Sequence, residues 1–437
     1  MKTYFSQFFS RDEGALTAFG LILTIAMIGI GGLALDYANA IMIRTHLQVA
    51  GDSAAHAAIF ARDTESEEDA KAIALAVAHR SLPPERFGDT ILADDIIFGV
   101  WDDATDSFVP TPGEREAVLV NTQRLASRGN AMATYFLNFV GIEEMDVVAN
   151  SVFITYRPTC FREGFVAEDR VDVQSNNAYR EGYCIHSNSH VELNSNNIFE
   201  DGVIVSMPYK SDLVIPSSGM TSNTGLENAL RSGSYKLRIL QRIGDVIDDY
   251  DDPSSKHYRP GYFDLPIQTT SLSVNQQLDA GSWQAGQIHT ASCNGNQRLR
   301  IRSGATLRDG VIDTDCRIVL GSNVTLENVL IVSTSTALRA IDGAAGVTLG
   351  LDDNCSAGGG VQIVTRGGVR FTANLNMYGV QVLALDLIDF EANGNGVEGV
   401  SFVTAGEIDS TSNMDMGFCD GEGMETNFEA EYFRMHR

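Results

Sequence analysis

Residues 171–182, VDVQSNNAYREG, and residues 191–202, VELNSNNIFEDG, follow one pattern displaced by 20 positions. Ser175-Asn176-Asn177 and Ser195-Asn196-Asn197 match identically, as do Gly182 and Gly202. A second pair, SGATLRDGVI at 303–312 and SNVTLENVLI at 322–331, is displaced by 19, and looser copies centre on 346–350, 368–372 and 386–390. A short unit that alternates apolar and polar residues between Gly, Asn and Ser turns cannot bury its apolar face alone. Stacked on its copies it can, so this period predicts a β-solenoid, read as a right-handed parallel β-helix. Val, Ile and Leu then point inward, and the SNN turns line up as side-chain ladders. The LxxLxLxxN pattern of leucine-rich repeats is absent. A β-sandwich is the alternative that short strands between turns leave open.

The second constraint is Ala15 to Leu35, ALTAFGLILTIAMIGIGGLAL, which carries no charge. One membrane crossing needs roughly 20 apolar residues. The run exceeds the apolar stretch of about 7–15 residues in a secretory signal, so it reads as a retained anchor. Gly20, Gly29, Gly31 and Gly32 would let a neighbouring helix approach closely. Lys2 and Arg11 precede the span and Arg44 follows it, which favours a cytoplasmic N-terminus. Cys160, Cys184, Cys293, Cys316, Cys355 and Cys419 all lie beyond the span. An even number there fits an oxidising compartment. Their pairing cannot be deduced from sequence, and buried free thiols are the alternative. The net charge of −26 argues against nucleic acid or an anionic membrane surface as a partner.

The remaining punctuation divides the chain. Residues 1–62 form the anchor and a helix continuing from it. Residues 63–158 read as a small α/β domain: acidic Glu65, Glu67, Glu68 and Asp69 open a helix that Pro83-Pro84 end, and strand-like runs follow, with an apolar helix at 131–142. The first solenoid rungs occupy 159–207, a helical and irregular insertion 208–292, further rungs 293–413, and a tail or cap 414–437. The expected fold is therefore a transmembrane helix with a small α/β pilin-like domain, then an all-β parallel β-helix with a helical insertion.

Glu13, Gly14, the apolar span, Asp36, and then Leu47-Gln48-x-Ala50-x-Asp52-x-Ala54-Ala55 resemble the N-terminal segment of the TadE/TadG-like family of Flp (tight adherence) pilus-assembly proteins. Gly51 stands where that family has Ala, and His56 where it has Leu. A processed pseudopilin of the same system would imply Glu at the fifth position after the cleavage glycine. Phe19 stands there after Gly14, so the resemblance favours the permanently anchored, TadG-like type. The Asp-x-Ser-x-Ser metal motif carried by many TadG-like proteins is absent. The resemblance implies a single-pass inner-membrane protein with other pilus-assembly proteins as partners, and a surface polysaccharide as a further candidate ligand of the solenoid.

Catalysis is weighed because β-helices also carry polysaccharide lyases and glycosidases. The candidate carboxylates are Asp309, Asp313 and Asp315, with Arg308 and Arg317 nearby, and Asp352 with Asp353. Such pairs could act as acid and base on a sugar linkage. Asp309 and Glu327, however, sit at nearby turn positions of matched rungs, as a repeating surface requires without chemistry. The acidic run 248–252 lacks the glycine and glutamate of a calcium loop and reads as a solvated helix end. HExxH, CxxC, GxSxG and phosphate-binding loops are absent, and His46, His79 and His186 have no companions at ligand spacing. The expectation is a non-enzymatic protein without catalytic, cofactor or metal residues. A membrane-tethered polysaccharide-active enzyme is the alternative.

Overall fold

The computed structural model describes residues 15–390 and 397–436, which divide into two compact units: residues up to Tyr156 together with those from Glu431 onward, and residues Arg157–Ala430.

The first unit is built on one helix, Ala15–Arg62. Its first half is exposed and apolar; between Leu16 and Tyr37 the buried positions are Gly32 and Asp36. Its second half buries Leu47, Ala50, Ala54, Ala55, Ala58 and Ile59. A second helix, Glu67–Ser81, starts where the Ser66 hydroxyl accepts the Asp69 amide at 3.1 Å, and buries Ala70, Ala74 and Ala78 against the first. Alanine at i, i+4 and i+8 gives each helix a flat face, so the backbones approach closely. Both helices pack on an antiparallel sheet of strands in the order Ser107–Pro110, Ile96–Asp102, Ala117–Arg124, Val147–Tyr156 and Tyr432–Met435. The last of these comes from the end of the chain: Tyr432 pairs with Tyr156 and Met435 with Phe153. The whole second unit is therefore an insertion between two antiparallel neighbours, and residues 431–436 belong to this sheet rather than to a cap of the solenoid. Residues 131–142 are not the α-helix that their apolar run suggests. They hold a short hairpin, Met132–Ala133 with Glu144–Met145, around a single 3₁₀ turn, Leu137–Val140.

The second unit is a parallel β-solenoid of about 12 turns. Its rungs do not stack in chain order. In the longer sheet, Leu230–Ser232, Ile204–Met207, Cys184–Ser187 and Gly164–Ala167 run to one end. Gly164–Ala167 pairs on its other edge with Val397–Thr404, the last long strand. From there the stack continues backwards through Asn376–Ala384, Val361–Thr365, Thr325–Ser333, Thr306–Thr314 and Gln287–Ala291 to Thr269–Ser271. First and last rungs thus meet in the middle, where Phe165 stacks on Phe402 at 5.5 Å between ring centroids. Inward residues such as Ile312, Ile331, Ile363, Val382, Phe402, Phe165 and Ile185 form a continuous core.

The SNN turns carry the ladder their repeat predicts. Asn176, Asn196 and Asn413 adopt left-handed φ of 63°, 66° and 62°. The next residue is buried in each case, and after Asn176 and Asn196 it is an asparagine whose side-chain oxygen accepts an amide from the neighbouring rung. Asn223 takes that of Asn197 at 2.8 Å, Asn197 that of Asn177 at 2.9 Å, and Asn177 that of Met414 at 2.9 Å.

The chain between Ser232 and Thr269 must cross from one end of the stack to the other. It contains two short helices, Arg238–Gln241 and Ile243–Asp249. Ile239, Leu240, Ile243, Val246, Ile247, Tyr262 and Phe263 cover the outer face of the long sheet, on a row that includes Val166, Val403, Leu383, Val364 and Val332. The crossing is visible in its bonds: the Tyr235 amide donates to Asn188 at 2.9 Å, the Tyr250 hydroxyl to Asp313 at 3.1 Å, and the Asp264 amide to the Gly286 carbonyl at 2.8 Å. Rungs resume at Thr269 rather than at 293, because Thr269–Ser271 and Gln277–Leu278 are too short to show a period. The tail between 424 and 430 covers the rest of this face, Gln381 exchanging two bonds with the Phe428 backbone at 2.9 and 2.7 Å.

Replacing Asn177 with alanine strands the buried Met414 amide, which costs about 1–3 kcal/mol. Asn176→Gly, at an exposed left-handed position, costs much less. Denaturant midpoints of the two variants measure the difference.

Candidate functional site

One face of the Ala15–Arg62 helix is held by other stretches of the first unit. Gly32 and Asp36 lie one helical turn apart on the same face. The Asp36 carboxylate accepts three backbone N–H groups from the returning chain: Tyr135 at 2.7 Å, Phe136 at 2.8 Å and Leu137 at 2.7 Å. An ionised carboxylate suits such a set, because each bond is charge-assisted. The Phe136 side chain fills the notch at Gly32, where an added Cβ would meet its atoms at 2.4–2.6 Å. These three amides are the ones a helix beginning near 134 would leave unpaired, and Gly141, at φ 88°, turns the chain away after one turn.

Higher on the helix, Leu47, Ala50, Ala54 and Ala55 form the buried docking face. The Gln48 amide donates to Asp52 at 2.7 Å and to the Asn150 carbonyl at 3.0 Å, tying the helix to the sheet. Of the departures from the family pattern, Gly51 lies against Thr122, whose hydroxyl donates to the Leu47 carbonyl at 3.0 Å. His56 sits 5.5 Å from the Phe153 ring. Glu13 and Gly14 lie outside the described residues. Sequence reasoning placed Asp36 in the motif but missed its partners, since nothing local to 135–137 names an acceptor 99 residues away.

The six cysteines form three disulfides, Cys160–Cys184, Cys293–Cys316 and Cys355–Cys419. Asp315 adjoins the second. It accepts from the Ser292 hydroxyl at 2.8 Å and the Cys293 amide at 2.7 Å, and both neighbouring sulfurs are committed to the disulfide. The other carboxylates weighed for catalysis have separate local partners. Asp313 lies on the outer face under Tyr250, and burial pushes its carboxyl pKa up. Asp309 adopts left-handed φ in a strand bend and accepts from Asn328 at 2.8 Å. Arg308 pairs with Glu327 on the next rung, and Arg317 donates to the Arg339 carbonyl at 3.0 Å. Asp353 accepts the Ser356 amide at 3.0 Å, while Asp352 adjoins Tyr378. Within 248–252, Asp252 accepts from Ser254 at 2.8 Å, closing a turn.

A feature that sequence reasoning did not single out runs along the outer face of the shorter sheet. Register places Glu192, Asp172, Asp409, Asp389, Arg370 and Asp342 in one column. Neighbours are about 4.8 Å apart along the stack, so like charges oppose each other directly. Arg170 compensates part of the column, reaching Asp172 at 3.0 Å, Glu192 at 3.2 Å and Glu407 at 3.1 Å. Burial, with repulsion from Asp409 next, raises the Asp172 pKa from 3.8 to about 6. A carboxyl with a raised folded pKa binds more protons folded than unfolded. Its contribution to stability is full below about pH 4 and is lost as pH rises through about 6. Asp172→Asn removes that loss, so the variant gains stability relative to the parent between pH 4.5 and pH 7.5, read as the change in urea midpoint difference.

Comparison with known proteins gives two family matches. Residues 14–70 match the family described as putative Flp pilus-assembly TadE/G-like, over the interval that contains the span, Asp36 and the Leu47 to Ala55 face. Residues 164–420, more than half of the chain and nearly all of the solenoid unit, match the family described as a domain of unknown function, DUF7867. No curated protein and no solved structure matches. The chain belongs to the DUF7867 family, with a TadE/G-like segment leading into it.

Proposed function

We propose that the chain is a non-catalytic, membrane-anchored component of Flp pilus assembly, TadG-like in being held permanently, which presents its β-solenoid outside the cytoplasm as an interaction surface. One coincidence carries this reading. The TadE/G-like match covers 14–70, and within that interval one helix changes from exposed and apolar to docked on a sheet at Leu47, Ala50, Ala54 and Ala55. An anchor rigidly continuous with a folded head suits a part that must hold its position in an assembling machine.

The N-terminus is cytoplasmic and the bulk periplasmic in this reading. Three disulfides, all beyond the span, support that placement, because such bonds persist in oxidising compartments. Its partners are the inner membrane and other pilus-assembly proteins. The long rigid column of the solenoid is suited to adhesion or docking. Support for a non-catalytic role comes from the separate commitments of Asp309, Asp313 and Asp315 to a strand bend, to Tyr250 and to the Cys293 turn.

The test uses the inserted topology. Because Tyr156 pairs with Tyr432, replacing residues 157–431 with Asn-Gly closes the two strands as a simple hairpin. Deletion of the chain in its host lowers pilus number; the full chain and the hairpin variant both restore it. Unchanged piliation after deletion would overturn the assembly role.

A further inference from the structure

The segment pinned to Asp36 has a surface that its fold does not explain. From Ala131 to Ile142 it carries no charged residue. Tyr135 is 65% exposed, Phe139 86% and Ile142 45%. Apolar side chains this large, side by side on a loop, are ordinarily buried or covered. None of the described residues of the first unit covers them. The two attachments of the loop fix its level: Phe136 fills the notch at Gly32, and Asp36 holds the amides of Tyr135, Phe136 and Leu137. Gly32 lies in the last turn of the uncharged run and Asp36 just beyond it. The loop therefore lies beside the end of the span, where Leu33, Leu35 and Tyr37 of the helix are also exposed, at 56%, 53% and 66%.

We infer that the 134–142 loop inserts into the lipid interface beside the helix, with Tyr135, Phe139 and Ile142 in the zone between head groups and acyl chains. This inference rests on the reading of Ala15–Leu35 as a membrane span. Tyrosine and phenylalanine suit that zone, where an aromatic body meets apolar chains and a hydroxyl meets water. The uncharged loop needs no anionic lipid, which agrees with a chain whose net charge is −26. A single helix can tilt, rotate and slide in a bilayer. A second contact at a fixed angle around the helix restricts all three, so the head keeps one orientation to the membrane. Asp36 is then the positioning residue: it spans no distance to lipid itself, but it sets the height and direction of the loop.

The test uses the full chain in zwitterionic phosphatidylcholine nanodiscs. All six native cysteines are in disulfides, so one added cysteine takes an environment-sensitive fluorophore uniquely. Three sites are compared: Ile25→Cys in the span, Phe139→Cys in the loop, and Asp103→Cys on an exposed strand turn. Quenching by lipids brominated on the acyl chain should be strong at 25, several-fold above the site at 103 when the label is at 139, and weak at 103. Adding Asp36→Ala to the 139 variant should lower its quenching toward that of 103 while leaving 25 unchanged. Strong quenching at 25 with a water-like signal at 139 overturns the inference and leaves the span intact, pointing to a protein partner for the loop. A water-like signal at 25 overturns the span reading itself.

Discussion

Tyr156 and Tyr432 sit opposite each other on neighbouring antiparallel strands, and everything from Arg157 to Ala430 lies in the chain between them. A segment whose two ends are joined through one strand pair must leave and return at the same place. A solenoid that winds from one end to the other cannot do so, because its ends separate by about 4.8 Å with every rung. The stack meets the requirement by starting in its middle. The first rung at Gly164–Ala167 pairs with the last at Val397–Thr404, and the Arg157 to Glu429 ion pair at 2.7 Å links residues near the two ends of the unit.

The other features of the unit follow from that arrangement. Two blocks growing in opposite directions leave a gap in the chain that only a lengthwise crossing can bridge. The crossing residues are apolar because they lie against an outer sheet face that is apolar rung after rung, and the same burial puts Tyr250 over Asp313. On the shorter sheet no crossing segment is found among the described residues. Its outward column is charged instead, with Arg170 and Arg370 set among the carboxylates. The contrast between the two outer faces is thus a record of where the chain had to travel.

The repeat, the apolar run and the helix motif were legible in the sequence because each is written locally: an SNN turn that recurs after 20 residues, a charge-free stretch, an alanine face at helical spacing. The order of the rungs was not. Parallel stacking follows the same inward and outward alternation whichever copy is neighbour to which, so periodicity is silent on permutation. One trace existed in Ser412-Asn413, which repeats the turn of Ser175-Asn176 and lies next to it, with Asn176 donating to Asn413 at 3.3 Å. The segment 131–142 misled for a different reason. Its composition suits a buried helix, but Gly141, at φ 88°, ends the helical turn Leu137–Val140 that follows the amides held by Asp36, and that carboxylate is a contact invisible to any local window. Disulfide partners were equally hidden, since Cys355 and Cys419 are brought together only by the stacking itself.

The crossing segment also ties the two ends of the stack together. It runs from the rung at Leu230–Ser232 to the rung at Thr269–Ser271 along a covered face. Inserting a rung in either block would lengthen that path by about 4.8 Å and slide the contacts of Ile243, Val246 and Tyr262 along the row beneath them. Open solenoids can gain or lose repeats freely at their ends. This one has the two ends of its stack joined by one segment of its own chain, so a repeat gained or lost at either end also moves an attachment of that segment.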